Sequence, residues 1–555
     1  MADYTRRQLL TARMGSLVSE RASWVSHWRE ISDNILPRSG RFFVSDRNRG
    51  ARRHNKIYDS TGTRALRTLG AGLMSGATSP ARPWFRLTTS DPKLDESGAV
   101  KVWLAEVTRL MQMVFTKSNS YGSLHSIYEE LGAFGTAATI ILPDFQDVIR
   151  HYPLTAGEYC IATDHRGVVN TLYREYEMSV AAMVRDFGIY KVSRTVRAMY
   201  MRGQLDAWVP VSQAIEPRAD RDVTKRDAKN MAWQSAYFEQ GGDNDNLLRD
   251  SGFKEFVALC PRWAVSGGDI YGNSPGMEAL GDIKQLQHEQ LRKAQGIDYK
   301  TKPPVQAPSS AKGHDIDLLP GGVSYVDQVG QSGGIRMAFE VNLDLSHLLE
   351  DIRDVRERIR GAFYTDMFLM ISSADKNGLT ATEVAERHEE KLLMIGPVLE
   401  RLHNEILSPK IEMTFARMVE AGIVPSAPEE LQGRELNVEF VSMLAQAQRA
   451  VATNGIDRFV NNLGAIAGAK PEVLDKFDAD KWADTYADML GVDPELIVPS
   501  DKVVLIRKQR AEAQQAMAQQ EQAAQASQTA KNLGGIDTSK QSALTDATRA
   551  FSGYS

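Results

Sequence analysis

Leu345-Ser346-His347-Leu348-Leu349-Glu350-Asp351-Ile352-Arg353-Asp354-Val355-Arg356-Glu357-Arg358-Ile359 carries Leu345, Leu348, Leu349, Ile352, Val355 and Ile359 on one helical stripe, opposite Glu350, Arg353, Asp354, Glu357 and Arg358. Such a stripe needs a neighbour to bury it. Upstream, Tyr271-Gly272-Asn273-Ser274-Pro275-Gly276 starts a second rod, because Ser274 can cap free N–H groups and Pro275 suits the first helical position. This rod is expected over 271–297, a length of roughly 35 Å. Its Leu280, Ile283, Leu286 and Leu291 alternate with Asp282, Lys284, Glu289, Arg292 and Lys293. Between the rods, 298–342 holds Pro303, Pro304, Pro308, Pro320, Gly321, Gly322 and the Gly330 to Gly334 cluster, which predicts a small projecting lobe of short strands and turns. The second rod is expected over 343–363. An apolar-then-polar loop, 364–378, follows it and is too apolar to lie free in water. Thr380-Ala381-Thr382-Glu383 then forms a capping-box pattern opening a helix over 379–422, which Pro397 and Pro409 should kink. Two rods around a lobe, with a broken helix behind them, make the plan of a channel-wall subunit rather than of a catalytic pocket.

Outward from this region the pattern is mixed. Residues 4–36 predict a helix with Trp24, Trp28, Ile31 and Ile35 at helical spacing and Pro37 ending it. Helices are also expected over 60–75 and 99–134. Short strands are predicted at Thr139 to Leu142, Tyr159 to Ala162, Val168 to Arg174 and Trp208 to Val211. The fold class is therefore α+β, predominantly helical, with an α+β body over 1–270. A mostly helical unit is expected over 423–510. The Ala/Gln/Glu-rich run 511–530 is a strong helix former, expected either to assemble a barrel of helices or to remain frayed, and 531–555 is expected to be a mobile polar tail.

The chain has 555 residues, 42% hydrophobic and 25% charged, which fits neither a disordered nor a membrane protein. No apolar run approaches the roughly 20 residues of a membrane span. The start, Met-Ala-Asp-Tyr-Thr-Arg-Arg, lacks a signal peptide's apolar core, so synthesis in a reducing cytoplasm is expected. Cys160 and Cys260 fit no redox or metal motif and read as buried thiols. Arg38, Arg41, Arg47, Arg49, Arg52, Arg53 and Lys56 surround Phe42 and Phe43; this basic loop can touch nucleic acid, but a solvated or ion-paired loop is the stronger reading.

Catalytic readings are weak. Gly272-Asn273-Ser274-Pro275-Gly276 matches G-x-S-x-G, but Pro275 lacks the N–H that the nucleophile elbow uses for its oxyanion hole. There is no Walker A sequence. Asp243 and Asp245 suggest a calcium loop, yet Leu248 and Lys254 stand where Gly and Glu are required. His388 lacks the second histidine of a zinc helix, since Leu392 occupies that place. No catalytic residue, metal ligand or cofactor is therefore assigned.

The chain resembles the head-to-tail connector, or portal, proteins of short-tailed bacteriophages related to phage T7. The resemblance rests on Ile57-Tyr58-Asp59-Ser60-Thr61-Gly62-Thr63-Arg64-Ala65-Leu66, on Gly76-Ala77-Thr78-Ser79-Pro80-Ala81-Arg82-Pro83-Trp84-Phe85, on Phe134-Gly135-Thr136-Ala137-Ala138, on Tyr271-Gly272-Asn273-Ser274-Pro275-Gly276, and on Leu379-Thr380-Ala381-Thr382-Glu383-Val384. It implies a ring, usually of twelve copies, at one capsid vertex of the virion. Through that ring a large terminase drives double-stranded DNA, and from it the tail hangs by an adaptor, with major capsid and scaffolding proteins around it. In these terms 1–270 is the wing, the rods are the stem, 298–342 the clip, 364–378 the tunnel loop, 379–422 the link to the crown, and 423–510 the crown. Leu280, Ile283, Leu345, Leu349, Ile352, Val355 and Ile359 are then expected at subunit contacts. Arg353, Arg356, Met367, Phe368, Met370 and Lys376 are expected along the channel, and Lys300, Lys302, Lys312 and His314 where the clip meets its partners. With 66 Lys and Arg against 71 Asp and Glu, each chain is 5 units negative. Twelve copies carry about −60, which favours sliding over gripping of phosphate. The rival readings are a cellular helical scaffold, which ring formation separates, and a divergent hydrolase using Ser274 and His288, which a serine-reactive probe separates.

Overall fold

The computed structural model of the protein describes residues 5–45, 50, 53, 55–91, 94, 97–225, 227–241, 246–301, 304–306, 336–337, 346–369, 394–431, 433–446, 459–460, 462–468, 470–490, 498 and 500–534. Helix α1 (Arg6–Asn34) starts at a capping box in which Thr5 and Gln8 satisfy each other's backbone N–H groups. Its Trp28, Ile31 and Ile35 are fully buried, as their spacing requires. Helices α2 (Thr61–Ala77), α3 (Gly98–Lys117) and α4 (Ser120–Phe134) follow. The run expected to be one helix over 99–134 breaks at Ser118, whose backbone is extended. The Ser118 hydroxyl pairs with that of Ser120 at 2.8 Å. Asn119 exchanges two hydrogen bonds with the backbone of His151, at 2.8 and 2.9 Å. Short polar side chains that bond backbone elsewhere end helices, and that is what happens here.

The strands β1 (Phe85–Thr89), β2 (Ala138–Asp144), β3 (Val148–Leu154), β4 (Tyr159–Thr163), β5 (Val169–Ser179), β6 (Trp208–Pro217), β7 (Trp233–Glu239), β8 (Arg249–Phe253) and β9 (Ala258–Leu259) build the rest of the body. An antiparallel sheet runs β4-β5-β6-β7-β8, and a smaller one runs β3-β2-β9. Short helices α5 (Val180–Phe187) and α6 (Arg194–Met201) cap a satellite core around Val180, Met183 and Val196. Both thiols are buried and free. Burial pushes Cys160 up to about 11 and Cys260 higher still, so both are unreactive at neutral pH.

Two antiparallel helices leave this body: a one-turn α7 (Pro275–Glu278) leading into α8 (Leu280–Thr301), and α9 (Ser346–Ala362). The first rod thus runs to Thr301 rather than 297. Beyond the rods, β10 (Val305–Gln306) pairs with β11 (Arg336–Met337). After α9, residues 365–369 form a helical turn where the sequence led us to expect loop. The helix resuming at 394 changes its turn just ahead of Pro409. It passes through a π turn, His403–Leu407, in which the Ser408 N–H reaches the His403 carbonyl, and continues as α10 (Ser408–Glu420). Widening the turn by one residue accommodates a proline ring that would otherwise strike the carbonyl four residues back.

The unit expected to be a separate helical crown from 423 onward begins instead as part of the body. Strand β12 (Leu436–Phe440) pairs with β1 from Phe85↔Phe440 to Thr89↔Leu436. The Trp103 indole donates to the Pro425 carbonyl at 3.1 Å. Leu436-Asn437-Val438-Glu439-Phe440 alternates apolar and polar with period two, a strand pattern. Helix α11 (Ala479–Leu490) and the 35-residue α12 (Ser500–Gly534) end the described chain. Helix α12 contains the whole of 511–530. No described helix is long and apolar enough to cross a membrane.

At the centre of the body sits a buried amine. Lys410 is fully buried, and its Nζ has no hydrogen-bond partner among the described residues. It lies 4.1 Å from the centre of the Phe115 ring. Burial lowers its pKa to about 7. His151, also buried with both ring nitrogens unpartnered, is held neutral by burial and by Lys410.

Candidate functional site

The helical hairpin α8–α9 and its root form the candidate site. The arms run antiparallel, so Arg358 faces Asp282 at 3.4 Å and Gln285 at 3.5 Å near the root. Farther out, Glu289 meets Asp351. Asp59, just ahead of α2, anchors both arms. Its carboxylate, on a side chain only 8% exposed, accepts from Arg356 Nη2 at 2.6 Å and Nε at 3.1 Å. The Gln290 amide, at 3.1 Å, and the Thr61 N–H, at 2.8 Å, also donate to it. Burial raises the Asp59 pKa, but the hydrogen bonds from Thr61 and Arg356 outweigh that and hold it below the usual carboxylate range. Gln287 completes the anchor: its Oε1 accepts the N–H groups of Tyr58 and Asp59 at 2.6 and 2.8 Å, while its Nε2 donates to the Asp59 carbonyl at 2.9 Å.

Close approach of α2 to the arm α8 and to the 365–369 turn depends on glycine. A Cβ on Gly62 would lie 2.8 Å from Ile283 Cδ1, and one on Gly72 only 2.3 Å from Phe368 Cβ. A second root joins α4 to the start of the hairpin. Gly135 caps α4 in the left-handed conformation, φ 75°, where the Gly272 carbonyl leaves no room for a side chain. The Thr136 hydroxyl accepts the Gly272 N–H at 2.8 Å. Ser274 is fully buried, caps α7 by accepting from Met277 N at 3.1 Å, and donates to the Ala133 carbonyl at 2.8 Å. Trp28 and Tyr271 stack edge to face at 5.2 Å above this joint.

These placements revise several expectations. Leu280, Ile283, Ile352, Val355 and Ile359 are buried within one chain, because α2 and the opposite arm already supply the neighbour that their stripes demand. They have no surface left for another subunit. Leu349, 39% exposed, does; Leu345 lies outside the described residues. Met367 and Phe368 are fully buried against the core and line no channel, since a side chain closed in by its own chain presents nothing to a lumen. Arg356 is committed to Asp59, whereas Arg353 is exposed. Lys300 belongs to the last turn of α8 rather than to the lobe. Met370, Lys376, Lys302, Lys312 and His314 lie outside the described residues, as do the Thr380 to Glu383 box, His388, Asp243 and Asp245. Sequence reasoning missed Asp59, Gln287 and Gln290 as anchors. They stood inside quoted motifs or on a rod's face, but their partners are more than 200 positions away.

The hydrolase reading fails on geometry: Ser274 is sealed and bonded, while His288 lies exposed on α8, where Arg292 donates to its Nε2. Described parts of the basic loop are ion-paired, Arg41 with Glu158 and Lys56 with Asp33. A cleft of about 530 Å³ between Trp103, Phe415, Leu436 and Val438 has no Ser, Cys or His in its lining.

A mixed body carrying a doubly rooted helical hairpin is the plan of an assembly subunit. The chain belongs to the bacteriophage head-to-tail connecting protein family, whose model matches residues 7–498. It is 69% identical over 554 residues to the "probable portal protein" of Bordetella phage BPP-1, covering 100% of both chains. It is 46% identical over 542 residues to the portal protein of Salmonella phage epsilon15, covering 98% of each. Its function is accordingly that of a phage portal, the connector between head and tail. Among solved structures it is similar to a chain in the virion of a native gene transfer agent, with 11% identity, 78% of this chain and 89% of that chain covered, and a TM-score of 0.35. A second similar chain comes from the neck of an empty gene transfer agent particle, at 12% identity, 77% and 89% coverage, and the same TM-score.

Proposed function

We propose that twelve copies close into a ring at one capsid vertex, with double-stranded DNA passing through its centre during packaging and ejection. The α8–α9 hairpin is the stem, and the segment between its arms is the clip. That clip docks the large terminase during packaging and the tail adaptor afterwards, with Lys300 at its base and Lys302, Lys312 and His314 on it. Capsid and scaffolding proteins contact the body, which serves as the wing. Since Met367 and Phe368 are occupied in the core, the part of 364–378 that narrows the channel lies beyond them and includes Met370 and Lys376. Arg353 is exposed on the stem.

The observation that carries this reading is the rooted hairpin in a chain that matches portal proteins along its whole length. A rigid, rooted stem transmits position from body to clip, and closed cyclic contacts leave no open edge. Native mass spectrometry of the purified protein tests it. A single closed assembly of twelve chains is expected, and a stable monomer at micromolar concentration refutes it.

A further inference from the structure

In the groove between the hairpin arms, Glu289 is 7% exposed. Its Oε1 accepts from the Gln285 amide at 2.6 Å, but its Oε2 has no hydrogen-bond donor among the described residues. Asp351 of α9 lies within hydrogen-bond reach of it, so the two carboxyls must share a proton or take a cation between them. Burial first, and Asp351 next, push the Glu289 carboxyl above its ordinary value. The nearby cation, Arg358, is already shared among Asp282, Asp354 and Gln285. A buried, unneutralised carboxylate is costly unless a cation reaches it, and the exposed Asp351 leaves the pair open from outside.

The opposite flank of α9 carries the complement. Arg353 and Arg360 are exposed and make no ion pair among the described residues, and Leu349 beside them is exposed. Positions 351 and 353 differ by about 200° around the helix but only about 3 Å along it. They cannot meet within one chain. Rotation about an axis along the stem keeps that height while bringing one flank against the other. No described cluster of three or more metal-ligand side chains exists, and an acidic groove repels phosphate. A guanidinium, whose planar fork suits two carboxylates, fits it better than a bare cation.

We propose that the groove formed by Glu289 and Asp351 receives Arg353 from a second copy of this chain, with Leu349 covering the margin of the contact. This rests on the ring reading above and names the contact that closes the stem. The full-length double variant Asp351→Cys with Arg353→Cys tests it under mild oxidation, the two native cysteines being buried. Neighbours on opposite flanks cannot bond within a chain because their Cβ vectors diverge. A ladder of linked chains on a non-reducing gel is therefore expected. In parallel, Arg353→Glu and Asp351→Arg should each raise the concentration at which rings half-dissociate by about tenfold, and the combined swap should reverse it. Unmodified rings with no ladder and no effect of either swap overturn the contact alone. Rings held together by added magnesium and indifferent to Arg353 overturn it as well. Absence of rings from the unmodified chain defeats the ring reading and the contact with it.

Discussion

Replacing Asp59 with Ala should release the hairpin while leaving the body folded. The carboxylate is 8% exposed and Arg356 37% exposed, so this is a partly buried pair with a two-pronged geometry. Breaking a fully buried pair costs about 3–5 kcal/mol. Because a third of Arg356 already meets water and can rehydrate, a cost of about 2–3 kcal/mol is the better figure, which includes loss of the Thr61 and Gln290 bonds. If that cost falls on local opening, amide exchange in α9 should accelerate about 30- to 150-fold, while β5 and β6 keep their protection. Asp59→Asn, which keeps an acceptor but loses the charge, should fall between. The pH dependence has a definite sign. A carboxyl whose folded pKa is depressed stabilises above its unfolded value and stops doing so as pH falls through the folded one. Protection of α9 should therefore persist above the ordinary value of 3.8 and fade below it. Equal exchange in α9 for Asp59→Ala and the unmodified chain would refute the anchor, and so would uniform acceleration over the whole body.

Gly72→Ala should destabilise by about 1–3 kcal/mol despite the better helix propensity of alanine, because the new Cβ overlaps Phe368; a higher melting temperature would contradict the packing described. Lys410→Met should stabilise by on the order of 5 kcal/mol at and below pH 7, since the folded pKa of about 7 lies below the usual 10.5. The penalty grows as pH falls from 10.5 and is complete below about 7, so the gain should shrink towards alkaline pH. Parallel melting-temperature profiles for the two proteins would show that the amine is not buried unpaired.

Local patterns made much of the fold legible. The period of Trp28, Ile31 and Ile35 announced α1, Ser274-Pro275 announced the start of the hairpin, and the Leu and Ile stripes announced its two arms. Portal kinship followed from short motifs spread along the chain. What a stripe leaves open is whose surface it meets. Ile352 and Val355 ask for an apolar neighbour, and α2 of the same chain supplies it. The same ambiguity hid the burial of Met367 and Phe368, whose run reads equally as channel lining or as core. The β1–β12 pair joins residues 353 positions apart, a distance across which periodicity carries no information. Hydrophobic period and capping chemistry act over a few residues, so the sequence alone determines most of the helices and strands and their apolar faces, though not the break at Ser118 or the helical turn at 365–369. Burial, ion pairing and the Asp59 root come from contacts between segments far apart in the chain, and only the tertiary structure decides them.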